Sequence, residues 1–285
     1  MKIGASLEAI SGRSLDVRHP QRTLRELLAS VVTVVKEHDL QVVEIPLDAA
    51  FLYPALFTPN VLSQMRLVAE ENGFYFTAHL PYMWLDLSSI NEKMRETSVQ
   101  CVLEGLRMGE ELNAIAYPLH LMGERAEAIA ASSWAEEEKR DFLARMMEQA
   151  ERSLEEITRE VEAAKLCLEN LGAVAFEPIL SLAKKYKTPL CLDVGHLILQ
   201  GGDPVAFIEA YFEAIKEVHL HDVVSTGWAE GKPVLMDHQP LGVGSLDLKG
   251  VIEALKTRGY EGVLLVEVMN KEDLLRSLAT LQPLL

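Results

Sequence analysis

The 285-residue chain carries 43 Asp and Glu against 27 Lys and Arg, a net charge of −16, with 49% hydrophobic and 25% charged residues. This composition excludes collagen-like and mainly disordered classes and is enough for a large core. The acidic excess opposes the Lys/Arg neutralisation by which proteins grip polynucleotide backbones, so a small-molecule substrate is expected and nucleic acid is not.

No stretch of about 18 apolar residues is present, so no membrane span is expected. The opening MKIGASLEAI lacks the apolar core of a signal peptide, which makes a cytoplasmic protein the expectation. Cys101, Cys167 and Cys191 are few, scattered and set in apolar stretches, and are read as reduced core residues. With no Gly/Ser or Pro-rich linker, residues 1–285 read as one domain.

Along the chain, short β-type apolar runs alternate with helical segments. The strand candidates are KIGAS from Lys2, QVVEI from Gln41, FYFTAH ending at His79, AIAYPLH ending at His120, KLCLE ending at Glu169, LCLD ending at Asp193, EVHLH ending at His221 and VLLVEV ending at Val268. Thr58-Pro59 and Asp203-Pro204 read as N-cap followed by Pro, Ser89 with Glu92 as a capping box, and Gly73 and Gly259 as helix ends. The charge-rich segment from Ala135 to Glu162 has helical apolar spacing through Leu143, Met147, Ala150, Leu154, Ile157 and Val161. Eight β-α units with continuously apolar strands predict a parallel eight-stranded (β/α)8 TIM barrel. A doubly wound open sheet, the competing architecture, lacks its Gly-rich phosphate loop after the first strand.

Barrel active sites form at the C-terminal strand ends. Here strands three to eight end in His79, His120, Glu169, Asp193 with His196 just beyond, His219 with His221, and Glu267, while His238 falls in the loop after strand seven. So many imidazoles and carboxylates aimed into one mouth repel or shift their pKa values unless a cation lies among them, which predicts divalent metal. Mixed His, Asp and Glu donors without Cys suit Zn or Mn, with Fe or Co as alternatives. His221 reads as either an outer support or a substrate contact, and Glu44 as structural or substrate-binding. Tyr82, Trp84 and Trp228 stand near the rim as pocket lining or as loop packing. His19 and His38 read as ordinary surface or packing residues.

These motifs resemble the xylose isomerase-like TIM barrels, which include endonuclease IV and related sugar epimerases and isomerases. HLPYMWLDLSSINEKMRETSVQCVLEGLRMGEELNAIAYPLH from His79 to His120, LENLG at Glu169, DVGH at Asp193, VHLHD around His219, HQPLG from His238 and VEV at Glu267 carry the likeness in order. The resemblance implies a first metal on His79, His120 and Glu169. It implies a second on Glu169, Asp193, His219 and Glu267, and a third on His196 and His238. Two departures stand out. Met236 occupies the place of an Asp that endonuclease IV has two residues before the motif His, and on an extended segment neighbouring Asp237 would face the other way. His221 replaces an Asn.

Two chemistries follow. Two metals about 3.5–4 Å apart would hydrolyse a phosphoester in a small or modular substrate, a cobamide-type one included. Alternatively, one metal would hold a sugar carbonyl and hydroxyl while Glu169 and Glu267 move protons. If Met236 blocks the third metal, His196 is left free at the rim of a two-metal cluster as a general acid. The two His residues favour hydrolysis and two metals per chain. The charge and Met236 argue against abasic-site nuclease activity, and a non-catalytic metal- or ligand-binding barrel is the remaining alternative.

Overall fold

The computed structural model describes residues 1–11, 19–229 and 232–285. Its strands are β1 (Lys2–Ser6), β2 (Val42–Pro46), β3 (Tyr75–His79), β4 (Tyr117–Leu119), β5 (Leu166–Glu169), β6 (Leu190–Asp193), β7 (Ile215–Leu220), β8 (Asp222–Ala229), β9 (Lys232–Gln239) and β10 (Val263–Val266). Eight of them form one parallel sheet in the order β3-β2-β1-β10-β7-β6-β5-β4. Backbone bonds from Ile115 N to Phe76 O, Ala78 N to Ala116 O and Leu80 N to Pro118 O join its two edges. The result is a (β/α)8 TIM barrel with helices between the strands. Among the described residues no helix is long and apolar enough to cross a membrane.

Strand parity builds the barrel in two layers, since alternate side chains face opposite sides. Val43, Ile45, Leu264 and Val266 face outward into the large core under the helices. Val42, Val263 and Leu265 fill the lumen, as do Ala116, Cys167 and Cys191. Cys101, expected in the core, is only half-buried. Continuing the inward parity two residues along each strand brings Glu169, Asp193, His219 and Glu267 to one end.

Helix ends follow local chemistry. Asp203 accepts from Val205 N and Ala206 N, and Gly73 closes its helix with φ +74°. Thr58 has the extended N-cap backbone but no side-chain cap bond. The expected Ser89–Glu92 capping box is not formed. Asn91 caps the helix Glu92–Glu111 by accepting from Lys93 N, and Glu92 instead pairs with Arg95 and Arg152. A guanidinium pair competes better for that carboxylate than a backbone N–H.

The main departure lies after β7, which ends at Leu220 rather than His221. An antiparallel hairpin of β8 and β9 follows, so His238 sits on a strand and not in a loop. Asp222 pairs with Gln239 and Val224 with Met236, so Val223 alone opposes both Asp237 and His238. That is a β-bulge, completed by a φ of +52° at His238.

Candidate active site

Glu169 is the hub. Its Oε2 lies 3.2 Å from His79 Nε2, and its Oε1 lies 3.4 Å from His120 Nε2 and 3.3 Å from His219 Nδ1. His219 Nδ1 is also 3.0 Å from Glu267 Oε2. The second carboxylate hub is Asp193, whose Oδ1 accepts from His196 N at 2.6 Å. Its backbone is clamped from both sides by the Asn170 amide at 2.8 Å.

Tautomers follow from the partners. His79 Nδ1 sits 3.0 Å from the Leu80 carbonyl, which takes only a proton, so Nδ1–H donates and Nε2 turns a lone pair toward Glu169. His196 Nδ1 likewise donates to the Asn170 carbonyl at 3.0 Å, leaving Nε2 free toward the hairpin. A lone pair facing a carboxylate repels unless a proton or a metal ion lies between. Both nitrogens of His219 and Oε2 of Glu267 are buried with no well-aligned hydrogen-bond partner among the described residues. These orphaned atoms meet in the set Glu44–His219–Glu267, next to the set His79–His120–Glu169, and such donors fit a divalent cation.

Without a cation, protons balance these carboxylates. Burial opposes charge on His79, yet the hydrogen bond and charge of Glu169 outweigh it and push the imidazole up to about 10. Burial likewise opposes His238, but Asp237 raises it to about 9. Burial disfavours ionised Glu169, and the His219 and His120 imidazoles reverse this and hold it well below the usual range. Glu267 is also lowered, by His219 and His238 against burial. A raised imidazole stabilises the fold fully below its unfolded value of about 6.5 and loses that contribution as pH rises through the folded value. The melting temperature of chelator-treated protein is therefore expected to fall between pH ~6.5 and ~10. Calorimetric melts showing a rise across that window would refute it.

The expectation about Asp237 is overturned. Met236 is 46% exposed, whereas Asp237 Oδ2 lies 3.7 Å from His196 Nε2 and Oδ1 lies 3.2 Å from His238 Nδ1. The bulge absorbs the one-residue shift, because both bulged side chains point toward the site. The His238 hydrogen bond lowers the Asp237 carboxyl to about 2. His196, Asp237 and His238 thus make a third candidate metal group.

Three other expectations change. Glu44 does not reach the rim. It pairs in register with Thr77, one pleat below His79, and is 2% exposed. Its Oε2 accepts from Thr77 Oγ1 at 3.1 Å and its Oε1 lies 3.5 Å from His219 Nε2. His221 is fully buried and faces Asp193 rather than the cavity. Trp84 is 68% exposed, with φ +61°, and lies outside the cavity wall. Tyr82 does line it, its ring 4.2 Å from His120.

The cavity, about 240 Å³, is bounded by His79, Tyr82, His120, Glu169, His196, His238 and Glu267, with Glu124 and Glu127 at its edge. Sequence reasoning missed four supporting residues. Asp48 accepts from Tyr82 N and Met83 N and so fixes the loop after β3. Asn170 clamps Asp193, and Asp237 joins the hairpin group. Glu217 sits in the lumen, where burial and then neighbouring Glu44 push its carboxyl well above the usual range. Parity would have flagged Glu217, two residues before His219. The Asp48 and Asn170 roles depend on partners distant in sequence.

The sequence matches the family described as Xylose isomerase-like TIM barrel over residues 32–284. It is 23% identical over 268 residues, 89% of this chain and 83% of the other, to an uncharacterized protein of Methanocaldococcus jannaschii. It is 36% identical over 87 residues to the inosose dehydratase of Clostridium tetani, covering 27% of this chain and 29% of that protein. A crystal structure of a D-tagatose 3-epimerase-like protein superposes with a TM-score of 0.74 at 21% identity, covering 100% of this chain and 97% of that one.

Proposed function

The chain belongs to the xylose isomerase-like TIM-barrel family, and from that premise we propose that it is a metal-dependent enzyme moving a proton beside the carbonyl of a sugar or polyol, as an epimerase or isomerase. The observation that carries this is the pair Glu169 and Glu267, 3.3 and 3.0 Å from His219 Nδ1 in one cavity. The epimerase-like and dehydratase relatives favour it over phosphoester hydrolysis.

A divalent cation, Zn, Mn, Fe or Co, held by Glu169, Asp193, His219 and Glu267 would polarise the substrate carbonyl and make the adjacent C–H more acidic. Glu169 and Glu267 are both held ionised at neutral pH, the form that accepts a proton. Glu267 is the more accessible, with its side chain 21% exposed against 2% for Glu169, so it meets the substrate from the open side. His196, set between Asp193 and the hairpin, can return a proton to a substrate oxygen. Tyr82 gives the cavity an apolar wall. The cavity lies below the roughly 300–1,000 Å³ of drug-sized sites, which suits a small substrate.

The test is solvent exchange. Protein reconstituted with Mn²⁺, Co²⁺ or Zn²⁺ and incubated in D₂O with keto-sugars and an inosose should place deuterium at the carbon beside the carbonyl, and Glu267→Gln should stop it. Cleavage of a model phosphodiester with no such exchange would refute the proposal.

The His79–His120–Glu169 group supports a second metal, and with it hydrolysis as the second reading. His120→Ala separates the two. Under the proposed chemistry it empties one metal position and lowers exchange less than about 10-fold, whereas a two-metal hydrolase loses about 100-fold or more. Elemental analysis run alongside should find metal still bound in the variant.

A further inference from the structure

His221 does not itself line the cavity but packs behind His238, which does, and both its nitrogens are engaged. Its Nδ1 accepts from His238 N at 2.9 Å, much closer than the Asp222 carbonyl at 3.5 Å, so Nδ1 carries the lone pair. The proton is therefore on Nε2, which lies 3.0 Å from Asp193 Oδ2 and donates to it. The other Asp193 oxygen is already bound by His196 N, so His221 completes the fixing of that carboxylate. Its ring stacks on His238 at 4.2 Å and 12°. A Cβ on Gly195 would stand 1.9 Å from His221 Cε1, so residue 195 must be glycine for the ring to lie where it does.

We propose that His221 is a positioning residue that ties the β8–β9 bulge to the metal carboxylate. One face orients Asp193, and the other holds the His238 backbone, so that hairpin placement and metal affinity are set by the same neutral imidazole. The Asp193 half rests on the metal-dependent reading above. A hydrogen-bonded partner of a ligating carboxylate or imidazole is worth about 10- to 100-fold in metal affinity. His221 binds neither metal nor substrate in this arrangement.

Two substitutions divide the roles. An Asn amide reaches the position of Nδ1 and a Gln amide that of Nε2. His221→Asn should keep the His238 amide protected from hydrogen exchange but weaken Zn²⁺ binding about 10- to 100-fold in chelator competition. His221→Gln should keep Zn²⁺ affinity close to that of the unsubstituted protein while His238 amide exchange accelerates about 2- to 10-fold. In ¹⁵N-histidine spectra of the Zn²⁺-loaded protein, which need no variant, His221 should be neutral with the proton on Nε2. A metal-bound shift at either nitrogen would overturn the proposal, as would the two variants losing both properties together. If the unsubstituted protein binds no Zn²⁺, Mn²⁺ or Co²⁺, the metal reading and the Asp193 half fail, and the His238 amide still decides the hairpin half.

Discussion

Glu169→Gln is expected to lower deuterium exchange into substrate about 100- to 10,000-fold and to release bound metal. Glu169 lies within 4 Å of four imidazoles through its two oxygens, so one substitution strips a charge shared by the His79–His120–Glu169 group and the proposed site on Glu169, Asp193, His219 and Glu267. A Gln keeps the shape but neither the charge that attracts a cation nor the basicity that accepts a proton. Paired metal analysis and exchange kinetics separate these losses. A variant that retains metal and loses only exchange assigns Glu169 to proton transfer, and one that retains both overturns its role as the hub. His79 loses its counter-charge in the same variant, so its metal-free form should also lose the high His79 pKa.

Glu217→Met is expected to stabilise the protein. Glu217 is fully buried in the lumen, and neither of its oxygens has a hydrogen-bond partner among the described residues. The one hydroxyl proton of Thr77 goes to Glu44 instead. An unsatisfied buried polar group costs about 1–3 kcal/mol, and methionine fills the same space without a polar atom. A gain of that size corresponds to roughly 2–4 °C in melting temperature per kcal/mol for a chain of this order. Because the folded carboxyl is raised, the native state holds its proton above the unfolded value of about 4.3, and the penalty grows with pH from there. The stabilisation should therefore be larger at pH 8 than at pH 4. Equal melting temperatures at both pH values would show that the lumen accommodates the acid at no cost. Any loss of metal affinity in this variant would mean that the acid supports His219, two residues along the same strand.

The local pattern carried the barrel and most of the candidate site. Runs such as KLCLE and LCLD are apolar on both faces, as parallel strands covered on both sides are, and the end of a strand is visible in one dimension. His79, His120, Glu169, Asp193, His219 and Glu267 were legible for that reason. What the tertiary structure decided was depth and direction. Glu44 reads like a strand-end carboxylate, but the pairing that sets it level with Thr77 places it beneath His219, since stagger between strands is not written in either strand alone. His221 shares the parity of His219, and only the hairpin folding back over it turned it from the cavity to Asp193. Asp237 illustrates the same limit. Period-two alternation put it on the wrong face, and a single bulge in pairing across residues 222–239 reversed that, because register belongs to two segments at once.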